Sequence, residues 1–202
     1  MNIRAVVFDV GGVLHTSRAE HIAQDIINTL GISQEQYLLA YDQLMPRFNL
    51  GEITEQEFWQ QFITLTKASQ PLPTESLWGR EFARLYQVND DVLHIVANLK
   101  NQGLTVAILS NTIDPHATIN RQRGLYAPFE IIILSHEVGL AKPDPKIYEV
   151  AQKQLQVSAA ETVFVDDREE NITAAIKLGI NGILFQDAHH LVADLAELGL
   201  EI

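Results

Sequence analysis

VVFDVGGVL, residues 6–14, decides how the rest of the chain is read. An unbroken apolar run ends in a carboxylate, Asp9, and two glycines follow. The run has no polar alternation, which is the pattern of a strand covered on both faces. A charge at the end of such a strand is costly unless something pairs with it. The partner must therefore come from elsewhere in the chain. Gly11 and Gly12 permit a tight backbone turn just past the strand.

Four more apolar runs have the same texture: LTVAILSN (104–111), EIIILS (130–135), TVFVDD (162–167) and NGILF (181–185). Helical patterns separate them, over 90–103, 114–124, 144–157 and 169–179, and a last one covers 187–198. In the first of these, Val92, Ile95, Val96 and Leu99 share a face. Asp144 followed by Pro145 marks a helix start. Strands alternating with helices predict an α/β fold built on a doubly wound parallel sheet. Residues 15–88 differ, because they carry helical patterns only. Ile22, Ile26, Ile27 and Leu30 form one stripe, and Tyr37, Tyr41, Leu44, Met45 and Phe48 another. Phe58, Phe62 and Leu65 form a third, and a fourth helix lies near 74–87, beyond Pro71 and Pro73. Ser33 with Gln36, and Thr54 with Glu57, read as capping boxes. The expected division is a core of 1–14 and 89–202 with an α-helical cap, 15–88, inserted after the first strand.

The chain has 202 residues and no cysteine, which excludes disulfides, thiolate metal sites and a thiol nucleophile. The lack of cysteine fits a reducing compartment, and the expectation is a cytoplasmic protein. No run approaches membrane-spanning length. The net charge of −12 repels nucleic acid and anionic membrane surfaces. Neither is expected as a partner, and monomer versus homodimer stays open.

Ligands of doubly wound sheets bind beyond the carboxyl ends of the strands. At those ends stand Asp9, Ser110 with Asn111, the loop to Lys142, and Asp166 with Asp167. Three carboxylates gathered there repel one another, and one lysine is too little to balance them. A hard divalent ion, most naturally Mg²⁺, meets the deficit with oxygen ligands and lets a phosphate enter an acidic protein.

The segments FDVGGVL, ILSNT, GLAKPDPKIYE and VFVDDREENI resemble, in order and over nearly the whole chain, the four motifs of the haloacid dehalogenase (HAD) superfamily. The insert with GEITEQEFW is similar to its helical-cap phosphatase branch, near glucose-1-phosphate phosphatase and the amino-terminal domain of soluble epoxide hydrolase. The resemblance implies a Mg²⁺-dependent phosphatase acting on a small phosphorylated metabolite, a sugar phosphate or nucleotide. It makes Asp9 the nucleophile that forms an aspartyl-phosphate. Ser110 and Asn111 become phosphate-binding residues, and Lys142 the cation that holds phosphate and nucleophile. The metal would fall to Asp9, the Gly11 carbonyl, Asp167 and, through water, Asp166. One position departs from the pattern. Gly11 stands where most phosphatases of the family carry a second aspartate, the acid/base for the leaving alcohol. Its loss leaves a slow enzyme or none, hurts least for good leaving groups, and leaves His15 or Thr16 as helpers through water. Two further functions compete: a metal-free 2-haloacid dehalogenase, and a non-catalytic binding protein. Elsewhere, Asn171 reads as a partner behind the acids or as helix surface. His15, His116 and His136 read as loop residues, Trp59 and Trp78 as packing of the helical unit, and Arg47 as solvated helix surface.

Overall fold

The computed structural model describes residues 2–16 and 19–201. Five parallel strands, β1 (Ala5–Phe8), β4 (Thr105–Ser110), β5 (Ile131–Leu134), β6 (Thr162–Asp166) and β7 (Asn181–Leu184), form a sheet in the order β5-β4-β1-β6-β7. All five apolar runs of the sequence are strands of this sheet. The register is in step across its centre: Ala5 faces Thr105 on one side and Thr162 on the other. From β1 the chain goes first to β4 and β5, then crosses to β6 and β7. The point where it reverses is the edge of β1, flanked by β4 and β6, and that is where a doubly wound sheet opens a crevice.

Alternation along β1 distributes its side chains to two cores. Val6 and Phe8 pack with Val92, Ile95, Val96 and Leu99 of α5 (Asp90–Asn101) and with Leu191 and Leu195 of α10 (Ala188–Glu197). Ala5 and Val7 pack with Ile147, Tyr148 and Ala151 of α8 (Pro145–Leu155) and with Ile172 and Ala175 of α9 (Glu169–Lys177). Both faces of the sheet are therefore apolar, which is why its strands read as continuous hydrophobic runs. Asp144 caps α8 through the amide of Lys146, with Pro145 in the first turn.

Between β1 and α5 lie four helices: α1 (Ala19–Leu30), α2 (Gln34–Asn49), α3 (Glu55–Thr66) and α4 (Leu77–Leu85). Both capping boxes are present: Ser33 and Gln36 start α2, and Thr54 and Glu57 start α3. The stripes read from the sequence meet in a third core, where Ile22, Ile26, Leu30, Leu44, Phe48, Phe58 and Phe62 are buried. Trp59 and Trp78 stack on each other there, with ring centroids 5.6 Å apart. Arg47 is half-exposed and pairs with Glu52 and Gln61.

Two short strands not anticipated by the sequence, β2 (His15–Thr16) and β3 (Gln87–Val88), pair antiparallel where this helical segment leaves and rejoins the sheet. The Asn89 amide also donates to the Leu14 carbonyl at 2.9 Å. Two contacts dock the segment onto the rest. Helix α4 packs on α6 (Asp114–Gln122). The turn at Gly51 lies so near α7 (Ser135–Val138) that an added Cβ would fall 2.1 Å from the His136 carbonyl oxygen. Gly51 also has a left-handed φ of 68°, so glycine is required there on both counts.

Candidate active site

Lys142 is the centre of the strand-end cluster. Its side chain is 1% exposed, and its three N–H donors are all used. Nζ donates to Asp9 Oδ1 at 2.8 Å, to Asp166 Oδ2 at 2.7 Å and to the Leu109 carbonyl at 2.8 Å. The amine therefore ties the ends of β1, β4 and β6 together. Asn111 fixes where it starts: its Oδ1 accepts from the Lys142 amide and its Nδ2 donates to the Lys142 carbonyl, both at 2.8 Å. The Asn111 side chain is thus committed to the Lys142 backbone and positions the lysine.

Asp166 is fully buried and its two oxygens are saturated. Oδ1 accepts the Arg168 amide at 2.8 Å, Oδ2 accepts Lys142, and Asn171 Nδ2 lies 3.0 Å from both. Tyr148 in turn donates to the Asn171 carbonyl at 2.9 Å. Asn171 is thus the partner behind the acids, not helix surface. Asp166 is an orienting anion whose oxygens are all engaged within the protein.

Asp9 continues the sheet pairing through its own amide, which donates to the Val165 carbonyl at 2.8 Å. Burial pushes its carboxyl pKa up; the Lys142 ammonium opposes that shift and the Asp166 charge adds to it. Lys142 takes Oδ1, so Oδ2 is the oxygen left to face the cleft. Asp167 is also pushed up, first by burial and then by the charges of Asp9 and Asp166. Each of Asp9, Asp166 and Asp167 offers a carboxylate oxygen within 4.8 Å of the others. Asp167 reaches this position because residue 12 has no side chain: a Cβ on Gly12 would lie 2.1 Å from Asp167 Oδ2. The loop that presents Gly12 is closed by bonds from the Leu14 and His15 amides to Val10 and from the Gly12 amide to His15, and it holds Gly12 at φ 79°.

The donor set fits a small hard cation. Asp9 and Asp167 bring carboxylate oxygens within 4.8 Å of one another, and oxygen is the ligand such ions take. Ser110, at the end of β4, is 2% exposed. Gly11 is exposed, and a Cβ there would meet nothing within 4 Å.

Three histidines differ from the sequence reading. His15 is in β2, His116 in α6 and His136 in α7, not in loops. His15 is 4% exposed, its ring packed at 5.1 Å against both Phe82 and Tyr86. Burial lowers its pKa to about 4. A ring so enclosed is no substitute for the acid missing at Gly11. His116 stacks on the other side of Phe82 at 4.1 Å, and burial with the nearby His15 lowers its pKa to about 3.

Above the cluster, a cavity of about 450 Å³ lies between the helical segment and the loops after β4 and β6. Helix α2 contributes Tyr37, Leu38, Tyr41 and Met45, and α4 contributes Trp78. Asn111, Thr112 and Arg168 form the side next to the carboxylates. Trp78 therefore lines a cavity as well as packing the helices. Helical periodicity marked Tyr37, Tyr41 and Met45 as apolar-face residues. It carried no information about which part of that face a neighbouring element covers.

A five-stranded parallel sheet with a lysine-bridged pair of aspartates at its switch point defines an α/β fold with a candidate site at the strand ends. Residues 3–179 match the family model of haloacid dehalogenase-like hydrolases, and the chain belongs to that family. It is 30% identical over 210 residues to a sesquiterpene phosphatase of Aspergillus oryzae, covering 96% of each chain. It is 26% identical to the bifunctional epoxide hydrolase 2 of Sus scrofa, over 98% of this chain but only 39% of that longer protein. Among solved structures, a HAD family enzyme of Bacteroides thetaiotaomicron in complex with magnesium and inorganic phosphate superposes with a TM-score of 0.80. That alignment has 23% identity and covers 94% of this chain and 98% of the other. No helix among the described residues is long and apolar enough to cross a membrane.

Proposed function

We propose that the protein is a Mg²⁺-dependent phosphatase of small phosphate monoesters, working through an aspartyl-phosphate on Asp9. The observation that carries this reading is the division of labour between the oxygens of Asp9. Lys142 grips Oδ1 at 2.8 Å, which orients the carboxylate and leaves Oδ2 for in-line attack on phosphorus. The Lys142 charge lies beside the place the phosphate would take, and the Ser110 hydroxyl would donate to one of its oxygens. Asp166, held by Asn171 and the Arg168 amide, keeps the ammonium in place. Asp9, Asp167 and the Gly11 carbonyl would hold Mg²⁺, which when bound supplies charge stabilisation for the transferring phosphoryl group. Water then hydrolyses the acyl phosphate and frees Asp9. The helical segment 15–88 acts as a cap over the core formed by 1–14 and 89–202. The Aspergillus phosphatase and the magnesium–phosphate complex of the Bacteroides enzyme support this assignment.

Gly11 favours substrates whose leaving group needs little protonation. It is also the one observation in favour of a 2-haloacid dehalogenase or a binding protein without turnover. Against a metal-free site stands the gathering of the Asp9, Asp166 and Asp167 carboxylates within 4.8 Å of one another, with one lysine bridging two of them. The test is phosphate release from acetyl phosphate, whose leaving group needs no acid. Release that requires Mg²⁺, stops with chelator and disappears in Asp9→Asn is the expected result. Chloride release from 2-chloropropionate that ignores chelator would replace this reading with the dehalogenase.

A further inference from the structure

We propose that the substrate is the phosphate ester of an apolar, aromatic-bearing alcohol, with its hydrocarbon part in the cavity under α2, rather than a sugar phosphate. This deepens the phosphatase reading and rests on it.

The cavity's volume of about 450 Å³ falls in the range of ligand pockets, which are mostly apolar with a few placed polar groups. The far wall here is hydrocarbon and aromatic. Tyr37 and Tyr41 stack at 5.5 Å, and Tyr41 meets Trp78 at 6.3 Å. Met45 and Ile22 complete that wall. At the mouth Leu38 is 47% exposed, an apolar side chain left to water on a cavity rim. Among the described residues no carboxylate lines the cavity, although the chain carries 26 Asp and Glu.

Polar groups also line it: Asn49, Asn111, Thr112, His116 and Arg168, with the Trp78 Nε1 and the His116 Nε2 unpartnered among the described residues. The Asn111 amide holds Lys142. The Thr112 backbone is bonded to Ser135 and His136. His116 is held neutral by burial. A sugar would bring more hydroxyls into this space than Asn49 and the open Trp78 and His116 ring nitrogens can meet, and each hydroxyl left without a partner weighs against binding. An aromatic or branched hydrocarbon meets a wall of its own kind, and its polar end points to the side where Asn111 and Arg168 adjoin the carboxylates. Gly11 fits the same substrate. Within this class it favours esters of phenols, whose leaving group departs without the acid that the residue lacks.

The experiment uses 4-n-alkylphenyl phosphates from methyl to pentyl, whose leaving phenols are alike, so chain length reports only on burial. With the whole protein and Mg²⁺, kcat/KM rises about fourfold per added methylene until the cavity is full, the factor equivalent to about 0.8 kcal/mol per buried CH₂. Calorimetry of the same esters with Asp9→Asn protein gives a similar slope in affinity without turnover. Leu38→Gln, an exposed position, lowers the pentyl-to-methyl ratio by about fourfold, the contribution of one methylene. A series that is flat or falls with length, in turnover and in binding, overturns the proposal. A slope in binding to Asp9→Asn with no hydrolysis by the unaltered protein leaves the cavity assignment standing and overturns the phosphatase reading instead.

Discussion

Replacing Lys142 with methionine keeps the length and apolar stem of the side chain and removes its charge. Three hydrogen bonds go with it, two of them to carboxylates at 2.8 and 2.7 Å. The two acids fare differently. Asp166 keeps the Arg168 amide and both contacts to Asn171, whereas Asp9 loses the group that held its Oδ1. Removing one partner of a buried ion pair costs about 3–5 kcal/mol, and the loss falls mainly on Asp9. For a chain of this size, that is a drop in Tm of about 6–20 °C. The loss depends on pH with a definite sign. The folded Asp9 already has a raised pKa, and Lys142 is the cause that opposes the rise. Without it, folded Asp9 keeps a proton at pH values where the unfolded chain has lost it. Stability then falls as pH rises through that window, which opens near the ordinary aspartate value of 3.8. The deficit is smaller at pH 5 than at pH 8. Thermal unfolding of both proteins across that range, without metal, measures it. The double variant Asp9→Asn/Lys142→Met recovers much of the loss, because it removes the charge left unpaired. A deficit below about 1 kcal/mol at pH 8, where breaking a buried pair should cost several, or a deficit equal at both pH values, would refute the reasoning.

Gly12→Ala places a methyl where Asp167 Oδ2 now lies and strains a left-handed residue, at a cost of about 1–3 kcal/mol. Displacement of Asp167 raises the Mg²⁺ concentration for half-maximal activity, and a metal titration of phosphate release reads the shift. Gly11→Asp fits, since its Cβ meets nothing, and it supplies the missing acid. Turnover of esters with poor leaving groups rises by up to about 10²–10⁴-fold, while acetyl phosphate hydrolysis changes little. A uniform change across both substrates would argue against an acid role at residue 11. Acid weakens the fold through His15 and His116, whose pKa values are lowered to about 4 and about 3. Below their ordinary value of 6.5 the unfolded chain binds protons that the folded one does not, so stability falls as pH drops from 6.5 toward 4. His116→Phe, which keeps the stack on Phe82, makes that fall shallower in denaturant titrations.

The sheet was legible because a strand buried on both faces has to be apolar at every position, as in VVF and TVFV. Both capping boxes were legible because they are local: Ser33–Gln36 and Thr54–Glu57 each close within one turn. The acids at the strand ends were legible because topology, not side-chain direction, places Asp9, Asp166 and Asp167 on one edge. Three things were not. The ribbon of His15–Thr16 with Gln87–Val88 has two residues a side, too short to show alternation. Asn111 was placed beside the substrate because its position in the chain gives its neighbourhood. The two bonds it makes to residue 142 follow from a loop path that no local pattern encodes. His15 and His116 are polar residues in an aromatic stack, and only tertiary packing tells such a ring from one on a surface.

The two-residue ribbon brings the departing and returning chain to adjacent positions, with Asn89 bonded across to Leu14. Seen from the sheet, about seventy residues occupy the place of a hairpin turn. Their number and internal arrangement set no strain on Asp9, because the gap to be bridged stays the width of one strand pair. What lies between His15 and Val88 can therefore be lengthened, shortened or exchanged without moving the strand ends that hold Asp9 and Lys142.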